Sequence, residues 1–344
     1  MMMQRRKVII SLIAVSLLAV VFLAGCRSSR YAQFGGYAQG GTWSVKANLE
    51  GVRVKPAEIQ AHIEEILFEI DTTLSGYNKG SQLSRHNRGE TIVPSAMFDE
   101  MLRAAYRFWE ETEGALDCAA GPLFDIWGFG FRTDSLPSDE KVQQTLASCG
   151  MGRMKEGGQV RLNYNAIAQG YSCDKVAEYL YSLGVKDMLV DIGEIFCDGL
   201  NPSGKPWRIG IDRPKDGNNT PGAELEGIWE GNGSAQGVVT SGNYRKFYIK
   251  DGIKYSHTID PRSGYPVQHN LLSATIIAPT SMEADAYATY CMVIGSEEAK
   301  AFILSRPELE GYLIFGTDGA DSQAEQDFAE WASSGFNIPY LLNR

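Results

Sequence analysis

Residues 272–295 read LSATIIAPTSMEADAYATYCMVIG and place a predicted strand immediately before a predicted helix. Residues 272–278 are rich in Ile, Thr and Leu and end before a proline, which is typical of a strand. The apolar segment that follows ends at Gly295, a residue type that commonly terminates helices. Asp285 and Thr289 are four residues apart in this segment, so on a helix their side chains point the same way.

Working outward from this stretch, helices and strands are mixed along the chain. Apolar residues recur at helical spacing over 56–74, Ser95 is placed to cap a second helix, and a third helix follows Gly170. Further strands are predicted at 186–195, 207–212, 245–250 and 311–315. Because strands and helices do not alternate regularly, the predicted fold class is α+β, with mixed helices and largely antiparallel sheets in one compact body. The acidic, Gly- and Asn-rich residues 215–233 are predicted to form a surface insertion.

The N-terminus has the pattern of a bacterial export signal. Three basic residues precede an apolar run over 8–24, and Leu23-Ala24-Gly25-Cys26 resembles a lipobox. We therefore expect a lipoprotein signal peptide at 1–25, acylation of Cys26 and a tether at 26–35. The alternative is one uncleaved membrane helix, although a run of about 17 residues is short for a bilayer. Either reading places the body, residues 36–344, outside the cytoplasm in the cell envelope.

The charge balance bears on the class of ligand. The formal net charge is −10, and no basic stripe with interleaved aromatic residues is present, so no nucleic-acid surface is predicted. A phosphate-bearing ligand would need a metal ion as mediator. Apart from Cys26, five cysteines remain without CxxC spacing, which favours buried free thiols over a disulfide framework.

Seven short segments could carry chemistry, and none belongs to a common hydrolase, metalloprotease or nucleotide-loop signature. They are Gly41-Thr42-Trp43; Leu74-Ser75-Gly76-Tyr77; Gly114-Ala115-Leu116-Asp117 with Gly121-Pro122 and Trp127-Gly128; Asn165-Ala166-Ile167-Ala168-Gln169-Gly170; Thr240-Ser241-Gly242-Asn243-Tyr244; Ser256-His257-Thr258-Ile259-Asp260-Pro261 with Gly264; and Ala284-Asp285-Ala286-Tyr287-Ala288-Thr289. In this order, from about Gly40 to Gly295, they resemble the ApbE family of FAD:protein FMN transferases.

The resemblance implies a fold, a reaction and a set of site residues. The body 36–344 would be one ApbE-like, T-fold-related flavin transferase domain. It would use Mg²⁺ to transfer FMN from FAD to a threonine of an exported acceptor protein through a phosphoester bond, with release of AMP. The implied FAD contacts are Gly40, Tyr77, Ala115, Leu116, Asp117, Asn163, Gln169, Thr240, Ser241, Gly242, His257 and Ile259. The implied metal ligands are Asp285, Thr289 and the backbone carbonyl of Ala166.

Physical chemistry supports some of these roles and leaves alternatives for others. A carboxylate and a hydroxyl on one helix face suit Mg²⁺, which takes hard oxygen ligands. The alternative is that Asp285 is an acidic residue at the start of a helix and that Thr289 is a packed β-branched residue. His257 precedes a turn that would hold its ring in place, so it could accept a proton from a threonine hydroxyl. A structural histidine, or one that only contacts flavin, is the alternative.

The sequence departs from the family pattern at several positions. Gly40 replaces a common methionine, Leu116 a phenylalanine, Asn163 an aspartate and Gln169 a lysine or glutamate. Asn163 matters most, because an amide can hydrogen-bond but cannot carry negative charge. The alternative functions are hydrolysis of FAD to FMN and AMP, and flavin binding without chemistry.

Overall fold

The computed structural model describes residues 31–129, 136–215, 217–218, 220–244, 247–250, 253–317 and 328–342. The signal peptide predicted at 1–25 and the predicted lipidation site Cys26 lie outside these residues. Within the ranges given, no helix combines the length and apolar character that crossing a bilayer requires.

The secondary structure mixes both element types, as predicted. The helices are α1 Pro56–Leu74, α2 Gln82–Asn87, α3 Ala96–Glu111, α4 Gly121–Ile126, α5 Asp139–Ser148, α6 Met151–Lys155, α7 Ala168–Ser182, α8 Ser281–Ile294 and α9 Ser296–Ser305. The strands are β1 Tyr31–Ala38, β2 Gly41–Asn48, β3 Met188–Asp191, β4 Ile195–Asp198, β5 Arg208–Asp212, β6 Leu225–Glu230, β7 Gln236–Gly242, β8 Phe247–Lys250, β9 Ile253–Ser256, β10 Leu271–Ala278, β11 Glu310–Gly316, β12 Phe328–Ala332 and β13 Tyr340–Leu341.

One antiparallel sheet organises the molecule. Its eight strands lie in the order β1-β2-β3-β4-β7-β10-β11-β12, and each neighbouring pair is antiparallel. Helix α8 packs on β7 and β10, and α7 packs on α8. A smaller antiparallel sheet, β13-β6-β5, shares a hydrophobic cluster with the opposite face. The predicted α+β class with largely antiparallel sheets is confirmed.

The predicted helix signals operate as expected from local chemistry. The apolar stripe of α1 is buried, and the Ser95 hydroxyl accepts the Phe98 N–H at 3.2 Å, which caps α3. At the start of α8, the Thr280 hydroxyl accepts the Glu283 N–H at 3.2 Å. The same helix ends at Gly295, whose φ of +86° favours a residue without a side chain.

Two predicted segments are wrong in part. The strand predicted at 186–195 is split into β3 and β4, because Gly193, with φ of +91°, reverses the chain between them. The surface insertion predicted at 215–233 contains β6, whose Trp229 is 2% exposed. A single tryptophan in a polar, Gly-rich stretch gave too weak an alternation to predict this strand.

The predicted tether at 26–35 is also wrong in its second half. Residues from Tyr31 onward form β1, which pairs with β2 and buries Phe34 to 5% exposure. The Trp43 indole lies where a Cβ on Gly36 would be, with Nε1 at 2.8 Å from that position. Strand β1 is therefore held by a neighbour in tertiary structure, whereas its own glycines suggest a linker.

Candidate active site

The candidate site is centred where the N-terminal ends of α7 and α8 meet. A Cβ on Gly170 would lie 2.3 Å from the Ser281 carbonyl oxygen, so the two backbones approach as only glycine allows. The Gly170 N–H donates to Asp285 Oδ2 at 3.1 Å. Asp174, one turn along α7, accepts the N–H groups of Ser281 and Met282 at 2.8 and 2.9 Å. These bonds fix α8, and with it Asp285, relative to α7.

The segment before α7 carries another predicted ligand, the carbonyl of Ala166, four residues before Gly170. In a continuous helix the Gly170 N–H would bond the Ala166 carbonyl, but here it is turned to Asp285. Thr289 is half-buried one turn after Asp285 on α8. The structure therefore places Asp285 at the helix junction, while Ala166 and Thr289 stay predicted ligands on the two segments that meet there.

Two carboxyl groups are buried at this junction, and burial disfavours their charged forms. Asp285 is 5% exposed; burial raises the pKa of its carboxyl group, and the neighbouring Asp174 raises it further. Burial likewise raises the pKa of Asp174. Across the described part of the chain, neither carboxyl group forms an ion pair with a Lys, Arg or His side chain. A bound cation would offset the cost of these buried charges.

The oxygen donors fit Mg²⁺ by type. One carboxylate, one hydroxyl and one carbonyl are all hard ligands, and Mg²⁺ ordinarily keeps several waters or phosphate oxygens besides its protein ligands. No cluster of three His, Cys, Asp and Glu side chains suited to a metal occurs in the described ranges. A site with a single carboxylate needs no such cluster.

A second wall is formed by the segment around Asp117 and by Asn163. Asp117 caps α6 by accepting the Met151 N–H at 2.9 Å, and it also accepts the Ala119 N–H at 2.7 Å. Burial raises its pKa, and these two bonds oppose the shift. The Asn163 N–H donates to the Cys118 carbonyl at 2.7 Å. This pairing joins the 115–119 segment to the chain that leads into Ala166.

Cys118 shows how close the two walls are. Burial raises the pKa of its thiol most, and the negative charges of Asp117 and Asp285 raise it further. The thiol therefore lies within electrostatic range of both carboxylates. It is fully buried and free, as predicted for the cysteines that the structure describes.

The loop of His257 is fixed by hydrogen bonds of its own turn. The Gly264 N–H donates to the Asp260 carbonyl at 2.8 Å, and Trp127 Nε1 donates to the Gly264 carbonyl at 2.8 Å. The Thr258 hydroxyl donates to Asn243 Oδ1, which ties this loop to the end of β7. His257 is half-buried, and its ring lies edge-on to Phe129 at a centroid distance of 6.4 Å. The predicted turn after His257 is confirmed.

The two hydroxyls at the end of β7 point to opposite faces of the sheet. Thr240 Oγ1 hydrogen-bonds Thr275 Oγ1 at 2.8 Å, on the face away from α8. Because side chains alternate along a strand, Ser241 lies on the face of Val239, which packs in the same cluster as the α8 alanines. Thr240 and Ser241 both stay predicted FAD contacts, with the Thr240 hydroxyl paired to that of Thr275.

Gly40 and Gln169 lie at the edge of the α7 N-terminus. Gly40 forms the β1–β2 turn with Gln39, whose amide donates to the Ser172 hydroxyl at 2.5 Å. Gln169 Nε2 donates to the Ile192 carbonyl at 3.4 Å and contacts the turn at Gly193. The Gln169 side chain is thus engaged with the turn between β3 and β4.

The remaining predicted FAD contacts differ in accessibility. Tyr77 is 71% exposed and is available for stacking. Ala115, Leu116 and Ile259 are at most 2% exposed, and their side chains belong to the core. FAD contacts at these three positions stay predictions.

Sequence reasoning missed Asp174, which sets the position of α8. The sequence feature that could have identified Asp174 is a carboxylate one turn after Gly170, in a segment whose neighbours Tyr171, Cys173 and Val176 are typical of a buried helix face. A buried acid with no basic residue at helical spacing predicts a capping role for a neighbouring helix.

Comparisons with known proteins identify the family of this chain. The model of the ApbE family matches residues 40–313. The chain is 34% identical to a FAD:protein FMN transferase of Haemophilus influenzae, covering 91% of this chain and 94% of that protein. The structure of the flavin transferase ApbE from Vibrio cholerae superposes with a TM-score of 0.74 at 33% identity, covering 89% and 98% of the two chains. The apo flavinyl transferase ApbE of Pseudomonas stutzeri gives 0.74 at 31% identity, covering 88% and 95%. The chain therefore belongs to the ApbE family.

Proposed function

We propose that this protein transfers the FMN half of FAD to a threonine hydroxyl of an acceptor protein. The threonine Oγ forms a bond to the phosphorus on the riboflavin side, and the bond from that phosphorus to the bridging oxygen breaks, so AMP leaves with that oxygen. The observation that supports the proposal is the buried carboxylate of Asp285 at the α7–α8 junction, with half-buried Ala166 and Thr289 on the two adjoining segments. The names of the curated relatives support the same reaction class.

The residues of the junction would hold Mg²⁺ together with the FAD diphosphate. When bound, the ion would neutralise the charge that the diphosphate carries and that grows on the leaving AMP. The Gly170 N–H holds one carboxylate oxygen of Asp285, which leaves the other to face the ligand. Catalysis here consists mainly of positioning and charge stabilisation, as for phosphoryl transfer in general.

We assign His257 as the group that accepts the proton of the attacking threonine. The chain that follows His257 is anchored by the Thr258–Asn243 bond and by the Asp260–Gly264 turn, which restricts the position of the ring. A neutral imidazole can accept a proton near neutral pH. Tyr77 and the Asp117–Asn163 wall would contact the flavin and adenine rings.

The location of the protein is part of the proposal. With Cys26 acylated, the enzyme would be anchored to the membrane on the extracytoplasmic side, where it meets exported acceptor flavoproteins. The excess of acidic residues disfavours nucleic acid as a partner.

Two alternatives predict different products. FAD hydrolysis would release FMN and AMP with water in place of the threonine, whereas a flavin-binding lipoprotein would release neither. The test is incubation of the soluble body with FAD, Mg²⁺ and exported flavoproteins from the same cell. Covalent yellow fluorescence on a denaturing gel, with AMP formed in equal amount, supports transfer. AMP without protein labelling supports hydrolysis, and no AMP supports binding alone.

A matched pair of variants ties the reaction to the proposed site. Asp285→Asn removes the buried carboxylate, and Asp99→Asn makes the same change at an exposed position of α3. Loss of AMP release in the first variant and retention in the second support the site. Equal, Mg²⁺-dependent release from both would place the reaction elsewhere.

A further inference from the structure

A cavity of about 520 Å³ lies beyond the candidate site, between the loop that follows His257 and the C-terminal half of α8. Its lining includes Asp260, Arg262, Tyr290 and Val293. None of these residues is used by the FAD or metal contacts described above. A volume of this size accommodates a ligand or several side chains.

The cavity continues the helix face that carries the candidate metal ligands. Val293 is four residues after Thr289, so it lies on the same face of α8, about 6 Å further along the axis. On the other side, Asp260 is three residues after His257. Arg262 passes beside Gly114, since a Cβ on that glycine would lie 3.9 Å from Arg262 Cγ. A molecule seated in the cavity therefore reaches toward the reacting centre along the helix.

The chemistry of the lining is apolar at the floor and acidic at the mouth. Val293 is 6% exposed, and Ile294 and Pro266 add apolar surface. Arg262 is neutralised by Asp260, which accepts its Nε and Nη2 hydrogens at 2.9 and 2.8 Å. Glu298 is exposed at the mouth and has no ion-pair partner among the described residues. The uncompensated charge at the opening is therefore negative.

We propose that this cavity docks the acceptor polypeptide, taking an apolar side chain of the acceptor and a basic residue next to it. The inference rests on the proposed transfer to a threonine. Apolar surface on the floor favours burial of an aliphatic side chain, and the free carboxylate of Glu298 favours a Lys or Arg beside it. Docking here places the acceptor chain alongside α8, with its threonine toward His257 and the diphosphate.

The test uses a positional-scanning library of peptides with one central threonine, incubated with the enzyme, FAD and Mg²⁺. Labelled peptides are identified by tandem mass spectrometry. Wild type should select aliphatic residues at one fixed position and Lys or Arg at an adjacent one. Glu298→Lys should lower labelling of the basic peptides by about 10-fold, chiefly through KM, and keep the aliphatic preference. Ile294→Asn should weaken the aliphatic preference.

The matched control is Glu297→Lys, which makes the same charge change on the same turn of α9 at an exposed residue outside the cavity lining, where it breaks only the ion pair with Lys300. It should retain the wild-type preferences, and all three variants should bind FAD as wild type does. Unchanged basic preference in Glu298→Lys would overturn the docking inference while leaving transfer intact. Weakened FAD binding in that variant would also overturn it, because the cavity would then hold part of FAD. AMP release without any labelled peptide would contradict the proposed transfer itself.

Discussion

The contact between Gly170 and Ser281 gives the sharpest test of how the site is assembled. In Gly170→Ala the new Cβ would lie 2.3 Å from the Ser281 carbonyl oxygen and 2.8 Å from Met282 Cα. These are backbone atoms, so no side-chain rotation relieves the contact. To reach an ordinary separation the ends of α7 and α8 must move apart by about 1 Å, which overpacks the junction.

Two costs follow from that movement. Overpacking a well-packed site costs about 1–3 kcal/mol, and weakening the Gly170 N–H bond to the buried Asp285 adds about 1–3 kcal/mol. Because the two effects share one contact they are not additive, and we expect the free energy of unfolding to fall by about 2–4 kcal/mol. A displacement of about 1 Å at the carboxylate should lower turnover by about 100-fold.

Urea unfolding followed by fluorescence measures the first quantity, and AMP release from FAD measures the second. Gly41→Ala is the control for stability, because a Cβ there has no neighbour within 4 Å. A Gly170→Ala protein with the midpoint and turnover of wild type would refute the close approach of the two helices, and with it the account of how Asp285 is positioned.

Further predictions concern single residues. Asp285→Asn should remove most of the turnover, measured as AMP release, because an amide is a poorer Mg²⁺ ligand than a carboxylate. Thr289→Val should lower turnover less. Both losses should shrink as the Mg²⁺ concentration is raised. Without ligand, the melting temperature of Asp285→Asn should not fall, because a neutral group replaces a buried charge; a large fall would indicate misfolding. Asn163→Asp should bind FAD more tightly in a fluorescence titration, because one carboxylate oxygen can keep the bond from the Asn165 N–H and the other can face the ligand; equal affinity would show that the amide suffices. A clickable fatty acid should label wild type and leave Cys26→Ala unlabelled, and equal labelling of both would exclude the anchor.

Local chemistry made the helices α1, α3, α7 and α8 and the strands β5, β10 and β11 predictable from sequence. The stripe of α1, the Ser95 cap and the Gly295 terminus each depend on residues within a few positions of one another. The same is true of the turn after His257. Motif order also indicated the family, because a series of short segments in a fixed order is information carried by the chain itself.

The tertiary structure decided what no local pattern contains. Strand β1 depends on Trp43 packing across Gly36, and β6 depends on a second sheet that covers Trp229. Sequence spacing placed Asp285 and Thr289 on one face, but the Gly170 N–H that holds the carboxylate is contributed by a helix distant in the chain. Likewise, the register of β7 against β10 pairs Thr240 with Thr275, which no local pattern in the sequence indicates. Spacing along a helix or strand determines which side chains share a face, whereas long-range packing determines what that face meets.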